Sequence, residues 1–381
     1  MIARLHESIR TLPVRFPVAE QAGAHLAAGL LGKRPLFVCV IASTDTALVP
    51  GISAAGASLE LIPFTAAADA EMLAHGAARC IAGVPSNPLG PPGPSIITLA
   101  ALRLAAIAHL IVDAGCRVRP DAPLFSLGGE PGGLISEGRA VPDARALFDR
   151  AFGLGIALGK EHEYLVLGES VPGGTTTALA LLMALGFQAE GRVSSSLAGN
   201  AHQLKNRVAR AALAHLTVDA GEDPLGAVAV LGDPMQPAVA GIAMGALSVR
   251  CPLLLAGGSQ MMAVLALMRR LSDARGQAID GSELGIATTR WVVDDPSADV
   301  SGLMREIGPH PLLATTLSFA HSRHAALRRY EDFLVKEGVG AGGAAVAAAL
   351  TAAVSREALL EEIETIYDGL LARQRLEARA E

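Results

Sequence analysis

EYLVLGESVPGGTTTALALLMALG, residues 163–186, reads as a strand, a tight turn and a helix in succession. EYLVLG (163–168) is apolar on both faces of a two-residue period, as a strand covered by helices on both sides should be. Pro172-Gly173-Gly174 supply the turn, and Thr175-Thr176-Thr177 open a helix over 175–186. The same alternation continues in both directions. Further strands are expected at LFVCVIA (36–42), AVAVLG (227–232), PLLLAGG (252–258) and RWVVDD (290–295), and further helices at 202–215, 235–248 and 259–272. This βαβα order specifies an α/β fold with a doubly wound, mostly parallel sheet flanked by helices. Ligands in such sheets bind where strand-to-helix loops gather at the strand carboxyl ends.

Composition narrows the function. Just over half of the 381 residues are hydrophobic (51%) and 18% are charged, so the chain can bury a large core. Aromatics make up 3%, which argues against base-stacking nucleic-acid modules and aromatic-anchored protein interfaces. The net charge is −6 with scattered basic residues, so no nucleic-acid partner is expected. Cys39, Cys80, Cys116 and Cys251 lie far apart without a CxxC pair, which points to free thiols in a reducing cytosol and to no metal site. The N-terminal MIARLHESIRTLP is amphipathic and lacks an apolar leader core, and the apolar stretch 96–112 is interrupted by Arg103 and His109. A cytoplasmic protein without membrane spans is expected, with 96–112 as a core helix.

The α/β domain is expected over residues 30–340, with residues 1–29 and 341–381 forming a small helical subdomain from the two termini. The Pro- and Gly-rich segments 86–95 and 122–144 read as long loops, either surface connections or part of a site.

Four loops carry chemistry. In the first, Gly168, Gly173 and Thr175 fall where a P-loop places its two glycines and its hydroxyl residue, yet Gly174 occupies the lysine position. Free N–H groups at the helix start, with the Thr175 and Thr176 hydroxyls, suit one phosphate monoester better than a triphosphate. Simple helix capping is the plainer alternative. In the second, LAGNAHQLKNRV (197–208), Lys205 supplies the missing cation if its helix approaches that turn; otherwise it lies on a solvated face. In the third, LGDPMQPAVAGIAMGA (231–246) and LLLAGGSQMMA (253–263), Asp233 suits either ribose hydroxyls or helix capping. Gly257 and Gly258 let a ligand approach the backbone, and Ser259 either caps the helix or donates to phosphate. In the fourth, VKEGVGAGGAAVAAAL (335–350), Glu337 precedes a stretch with few polar groups of its own. A carboxylate desolvated there has a raised pKa and suits a general base; a surface charge beside a glycine hinge is the alternative.

Taken in order, GESVPGGTTTALALLMALG, LKNRV, LGDPMQPAVAGIAMGA, CPLLLAGG and KEGVGAGGAA resemble the nicotinate-nucleotide:dimethylbenzimidazole phosphoribosyltransferase family, in particular its divergent archaeal and cyanobacterial branch. The resemblance implies transfer of the 5-phosphoribosyl group from nicotinate mononucleotide to a heterocyclic base for a cobamide lower ligand, by a homodimer without cofactor. It implies Glu337 as catalytic base. Glu169, Gly173, Gly174, Thr175, Thr176, Lys205, Asp233, Gly257, Gly258, Ser259 and Gly338 would hold the nucleotide, and Ser43 and Asp45 the incoming base. Ser43-Thr44-Asp45-Thr46 stands in place of the bacterial branch's Asp-His-Gly, and Lys336-Glu337-Gly338 in place of Gly-Glu-Gly. The acceptor is therefore left open among dimethylbenzimidazole, adenine and similar bases. A noncatalytic nucleotide- or cobamide-binding homologue and a degenerate P-loop enzyme are the alternatives. A dinucleotide-dependent oxidoreductase lacks its GxGxxG after the first strand.

Overall fold

The computed structural model describes residues 11–274, 279 and 281–380. Eight strands form one sheet: β1 (Val14–Val18), β2 (Pro35–Ala42), β3 (Ala108–Gly115), β4 (Phe125–Ser126), β5 (Tyr164–Ser170), β6 (Leu253–Ala256), β7 (Leu284–Thr288) and β8 (Leu312–Thr315). Their order is β1-β8-β7-β6-β5-β2-β3-β4, and every pair is parallel except β1 with β8. From β2 the chain moves outward through β3 and β4, then returns to place β5 on the other side of β2. The strand order therefore reverses between β2 and β5, where a doubly wound sheet opens its ligand crevice.

The central strands alternate between two cores. Val38, Val40, Leu165 and Leu167 face one, and Phe37, Cys39, Ile41 and Val166 face the other. The helices Ala144–Glu161, Gly174–Ala184, Met235–Ser248 and Ser259–Asp273 cover the first face. Glu20–Leu30, Thr65–His75, Ser95–Leu104, Ala341–Ala352 and Arg356–Ala380 supply the second. The alternation with double-sided burial is what the apolar runs of β2 and β5 encode.

Several expectations are corrected. AVAVLG (227–232) falls in the helix Pro224–Leu231. Asp223 caps that helix through Gly226 N and Pro224 sits in its first turn, a start signal that outweighs the β-branched composition. RWVVDD (290–295) contains a short helix, Arg290–Val293, and the strand is the preceding Leu284–Thr288. The stretch 96–112 divides into nearly the whole helix Ser95–Leu104 and the start of β3.

The described parts of the terminal segments pack on the sheet and its helices. Val14–Val18 extends the sheet beside β8, and Ala341–Ala352 is buried against β5 to β8. Its small side chains permit that close approach. Arg356–Ala380 packs on Ser95–Leu104 instead. The helix expected over the first residues lies outside the described residues.

The four cysteines are free thiols, with Cys39 and Cys251 buried. No helix among the described residues is long and apolar enough to cross a membrane.

Candidate active site

The loops that follow β5 and β6 meet the segments 194–197 and 335–339 and a wall formed by residues 52–94 around one cavity of about 210 Å³. A second depression, bordered by Ser43, Thr44, Asp45 and Arg117, measures about 10 Å³ and admits one water at most. The first is therefore the candidate site.

β5 ends in Glu169-Ser170, and the turn through Pro172 delivers Gly173 in a left-handed conformation (φ 79°) at the start of the helix Gly174–Ala184. Gly173, Gly174 and Thr175 line the cavity. A Cβ at residue 174 would lie 1.7 Å from Gln260 Oε1, so any side chain there must push aside the carboxamide packed over it. Thr176 is fully buried outside the lining, and its hydroxyl has no partner among the described residues.

Glu337 opens into the same cavity. Its Oε2 accepts from Thr288 Oγ1 (3.0 Å) and Thr289 N (2.9 Å), and its Oε1 from Gly338 N (3.2 Å) and Gly342 N (3.1 Å). Gly342 can donate because its missing side chain lets the helix start press on β7; a Cβ there would meet the Thr288 carbonyl carbon at 1.9 Å. Burial raises the Glu337 carboxyl, these bonds pull it down, and it settles at about 7. Glu169 is held by Val171 N (3.0 Å) and Gln260 Nε2 (2.8 Å). Burial, with repulsion from Asp233, Glu337 and Asp69, pushes its carboxyl well above the usual range.

A further wall is Ser194-Ser195-Ser196 with Gly258-Ser259, and Ser196 Oγ donates to Glu337 O (3.2 Å), joining it to the glutamate's segment. Ser259 Oγ accepts from Ser194 N (2.8 Å) and donates to Ser194 O (3.1 Å), tying the serine loop to a helix start. Behind this wall lies a buried polar network. Lys336 is a lining residue, and its buried Nζ donates to Asp295 Oδ2 (2.7 Å), Asn200 Oδ1 (3.0 Å) and Leu197 O (3.3 Å). Asp295 Oδ2 accepts from Asn200 Nδ2 (2.8 Å) and Ser194 Oγ (2.7 Å) as well. Burial raises the Asp295 carboxyl, but its hydrogen bonds from Asn200, Lys336 and Ser194 outweigh that and hold it below the usual range.

Lys205 is 1% exposed and does not line the cavity. Its Nζ donates to Asn200 O (2.5 Å) and Ser195 Oγ (3.1 Å), which puts its charge one side chain behind the serine wall. Burial and then Lys336 push the ammonium down to about 7.

Asp233 is also outside the lining. Its Oδ2 accepts from Thr177 Oγ1 (2.5 Å) and its Oδ1 from Met235 N (3.0 Å), so of the two roles open to it the capping geometry is the one present. Gly257 shapes the turn behind the wall, whereas Gly258, Ser259 and Gly338 line the cavity. Ser43 and Asp45 lie at the second depression instead. The 3₁₀ turn Asp45–Leu48 carries Asp45 to an ion pair with Arg117, and Ser43 Oγ accepts from Arg117 N (3.1 Å).

Sequence reading missed Lys336, the three serines, Gln260, Asp295 and Asp69. The run SSS before LAGN was a legible polar signal at 194–196; the others come together only in space.

The cavity lining thus carries Asp69, Glu169 and Glu337, and two lysines set against one aspartate lie behind its serine segment. Among the described residues no His, Cys, Asp and Glu cluster is arranged to hold a metal ion.

The family described as Phosphoribosyltransferase matches residues 96–288. The UPF0284 protein of Methanothermobacter thermautotrophicus is 41% identical over 350 residues, 90% of this chain and 95% of its own length. That of Gloeobacter violaceus is 46% identical over 347 residues, 89% of each. Among solved structures, the nicotinate-nucleotide–dimethylbenzimidazole phosphoribosyltransferase of Thermus thermophilus superposes with a TM-score of 0.58 over 87% of this chain and 88% of its own, at 20% identity, a likeness of fold.

Proposed function

Because the chain belongs to the phosphoribosyltransferase family whose model matches residues 96–288, we propose that it transfers the 5-phosphoribosyl group from nicotinate mononucleotide to a heterocyclic base, releasing nicotinate and forming an α-nucleotide. The single observation that carries this reading is the meeting of Glu337, its carboxyl poised near neutrality, with the Gly173–Thr175 turn and the serine wall in one cavity.

The donor is a cationic pyridinium bonded to C1 of a sugar that ends in an anionic phosphate. A cavity backed by buried lysines and lined by Glu169 and Glu337 offers groups of both signs to such a donor. The phosphate is assigned to the Ser194–Ser196 wall, the Ser259 helix start and the turn at Gly173–Thr175, with Lys205 and Lys336 as the charges behind it. Lysine is not needed at position 174, where Gln260 already fills the space.

The C1–N bond breaks with its electron pair going to the pyridinium nitrogen, so nicotinate leaves without an acid. The acceptor's nitrogen lone pair forms the new bond to C1 on the opposite face, and its ring proton passes to Glu337. Alignment of two reactants supplies on the order of 7–11 kcal/mol in favourable cases. Proton transfer to a positioned carboxylate adds typically ~10²–10⁴-fold. Glu169, which lines the same cavity, is assigned to the side of the sugar where positive charge develops.

The test is mass spectrometry of the products from nicotinate mononucleotide and a panel of benzimidazoles, purines and phenols. Nicotinate and a new nucleoside monophosphate are expected together. Failure to form any nucleotide with any acceptor refutes the reading.

A further inference from the structure

Of the residues between 52 and 94 that line the cavity, Asp69 is the only ionisable one. It lies in TAAADAEMLAH, on a helix whose residues 66–73 are all buried, and is itself 6% exposed. Its carboxylate has a neutral partner: Ser170 Oγ donates to Oδ2 at 2.7 Å. No lysine, arginine or histidine is among the groups that move its titration; burial raises it to about 6, and the Ser170 and Ser95 hydroxyls lower it. The same stretch lines the cavity mostly with apolar side chains, among them Leu61, Ala68, Ile81, Ala82, Val84 and Pro85, with Ser53, Thr65, Ser86 and Asn87 as its uncharged polar residues.

A carboxyl buried without a cation is unfavourable unless something in the site donates hydrogen bonds to it. Ser170 supplies one such bond. This mostly apolar wall suits the flat face of a heterocycle. The nicotinate ring carries a carboxylate of its own, which an ionised Asp69 would repel, so the acceptor rather than the leaving group belongs at this wall.

Resting on the transfer reaction above, we propose that Asp69 selects the incoming base. The acceptor class is an aminated azole heterocycle, whose exocyclic amino group donates to Asp69 while its ring proton passes to Glu337. A base carrying only methyl groups at that edge leaves the Asp69 carboxyl unsatisfied.

The matched pair benzimidazole and 4-aminobenzimidazole, which differ by one amino group, tests this. Each is assayed for nicotinate release with the wild-type protein, Asp69→Leu and Asp69→Asn, and titrated calorimetrically onto each protein in the presence of nicotinate mononucleotide. The wild type is expected to favour the amino compound at least about tenfold in kcat/KM and in affinity. Asp69→Leu should bring that ratio close to one with the donor KM unchanged. Asp69→Asn, which retains an acceptor oxygen and reports whether shape alone is at issue, should keep a preference.

Equal use and binding of the two compounds by the wild type overturns the proposal. So does a ratio that survives in Asp69→Leu, or a donor KM that rises there while the ratio stays fixed. If no acceptor releases nicotinate, the transfer reaction itself fails, and the calorimetric preference still decides the role of Asp69.

Discussion

The carboxamide of Gln260 occupies the space that a side chain at residue 174 would need, with its Oε1 1.7 Å from the ideal Cβ position. The same carboxamide donates to Glu169 at 2.8 Å. The side chain over position 174 comes from a neighbour 86 residues away in the sequence, and that neighbour also orients a carboxyl group in the cavity.

Gly174→Ala should therefore displace Gln260 and destabilise the fold by about 1–3 kcal/mol, the usual cost of overpacking. Gly174→Ala combined with Gln260→Ala should recover most of it, because the two changes share one space. Urea unfolding of the four proteins measures the coupling; strictly additive effects would contradict the contact.

Replacing Glu337 with Gln keeps the shape of the side chain and removes its basicity. Turnover should fall ~10²–10⁴-fold. Binding of nicotinate mononucleotide, measured by calorimetry, should persist within a few-fold. Turnover at the wild-type rate would remove Glu337 from the reaction.

The same residue sets a pH dependence. The base must be deprotonated, so with a carboxyl near 7 the wild-type kcat/KM should rise with pH and level off above about 7. A profile already flat at pH 5 would mean that another group takes the proton.

Stability of the unliganded protein should run the other way. Asp69 and Asp233 are raised to about 6 and Glu337 to about 7, so the folded chain holds these protons more tightly than the unfolded chain does. Their favourable contribution is present at low pH and is lost as pH climbs toward 7. The loss is about 1.4 kcal/mol for each pH unit that separates the folded-state titration from the unfolded one. Lys205, pushed down to about 7, acts in the opposite sense above that pH. Urea midpoints should therefore decline between pH 5 and 7, and a rise across that interval would show that other titrations dominate.

Lys336 and Asp295 are an ion pair with each side chain 1% exposed. Lys336→Met alone should cost about 3–5 kcal/mol, since it leaves a buried carboxylate short of its cation. Adding Asp295→Leu should cost less than the sum of the single changes. Lys205→Met should weaken donor binding about tenfold with little effect on kcat, as expected when a contact is made equally in ground and transition states. An unchanged donor KM would take the phosphate away from the serine wall.

Much of this was legible in the chain. β2, β5 and β6 and the helices after β5 and β6 follow from unbroken apolar runs, capping glycines and hydroxyls. β7 and β8 were not separable, because LGIAT and LLAT are short and carry no period longer than one turn of helix. PLGAVAVL looked like a strand because its β-branched residues mask a helix that Asp223 and Pro224 start.

Local residue order suffices for the α/β alternation, the turn at Gly173–Thr175 and a glutamate ahead of a polar-poor segment, since each rests on neighbours within one helical turn or a few strand residues. Packing in three dimensions is what sets Lys205 behind the serine wall, gives Lys336 Asp295 as its partner, turns Asp45 out to Arg117 and brings Asp69 to the cavity. Those outcomes depend on which residues, tens to hundreds of positions apart, share a low-dielectric space. Local spacing carries no record of that distance.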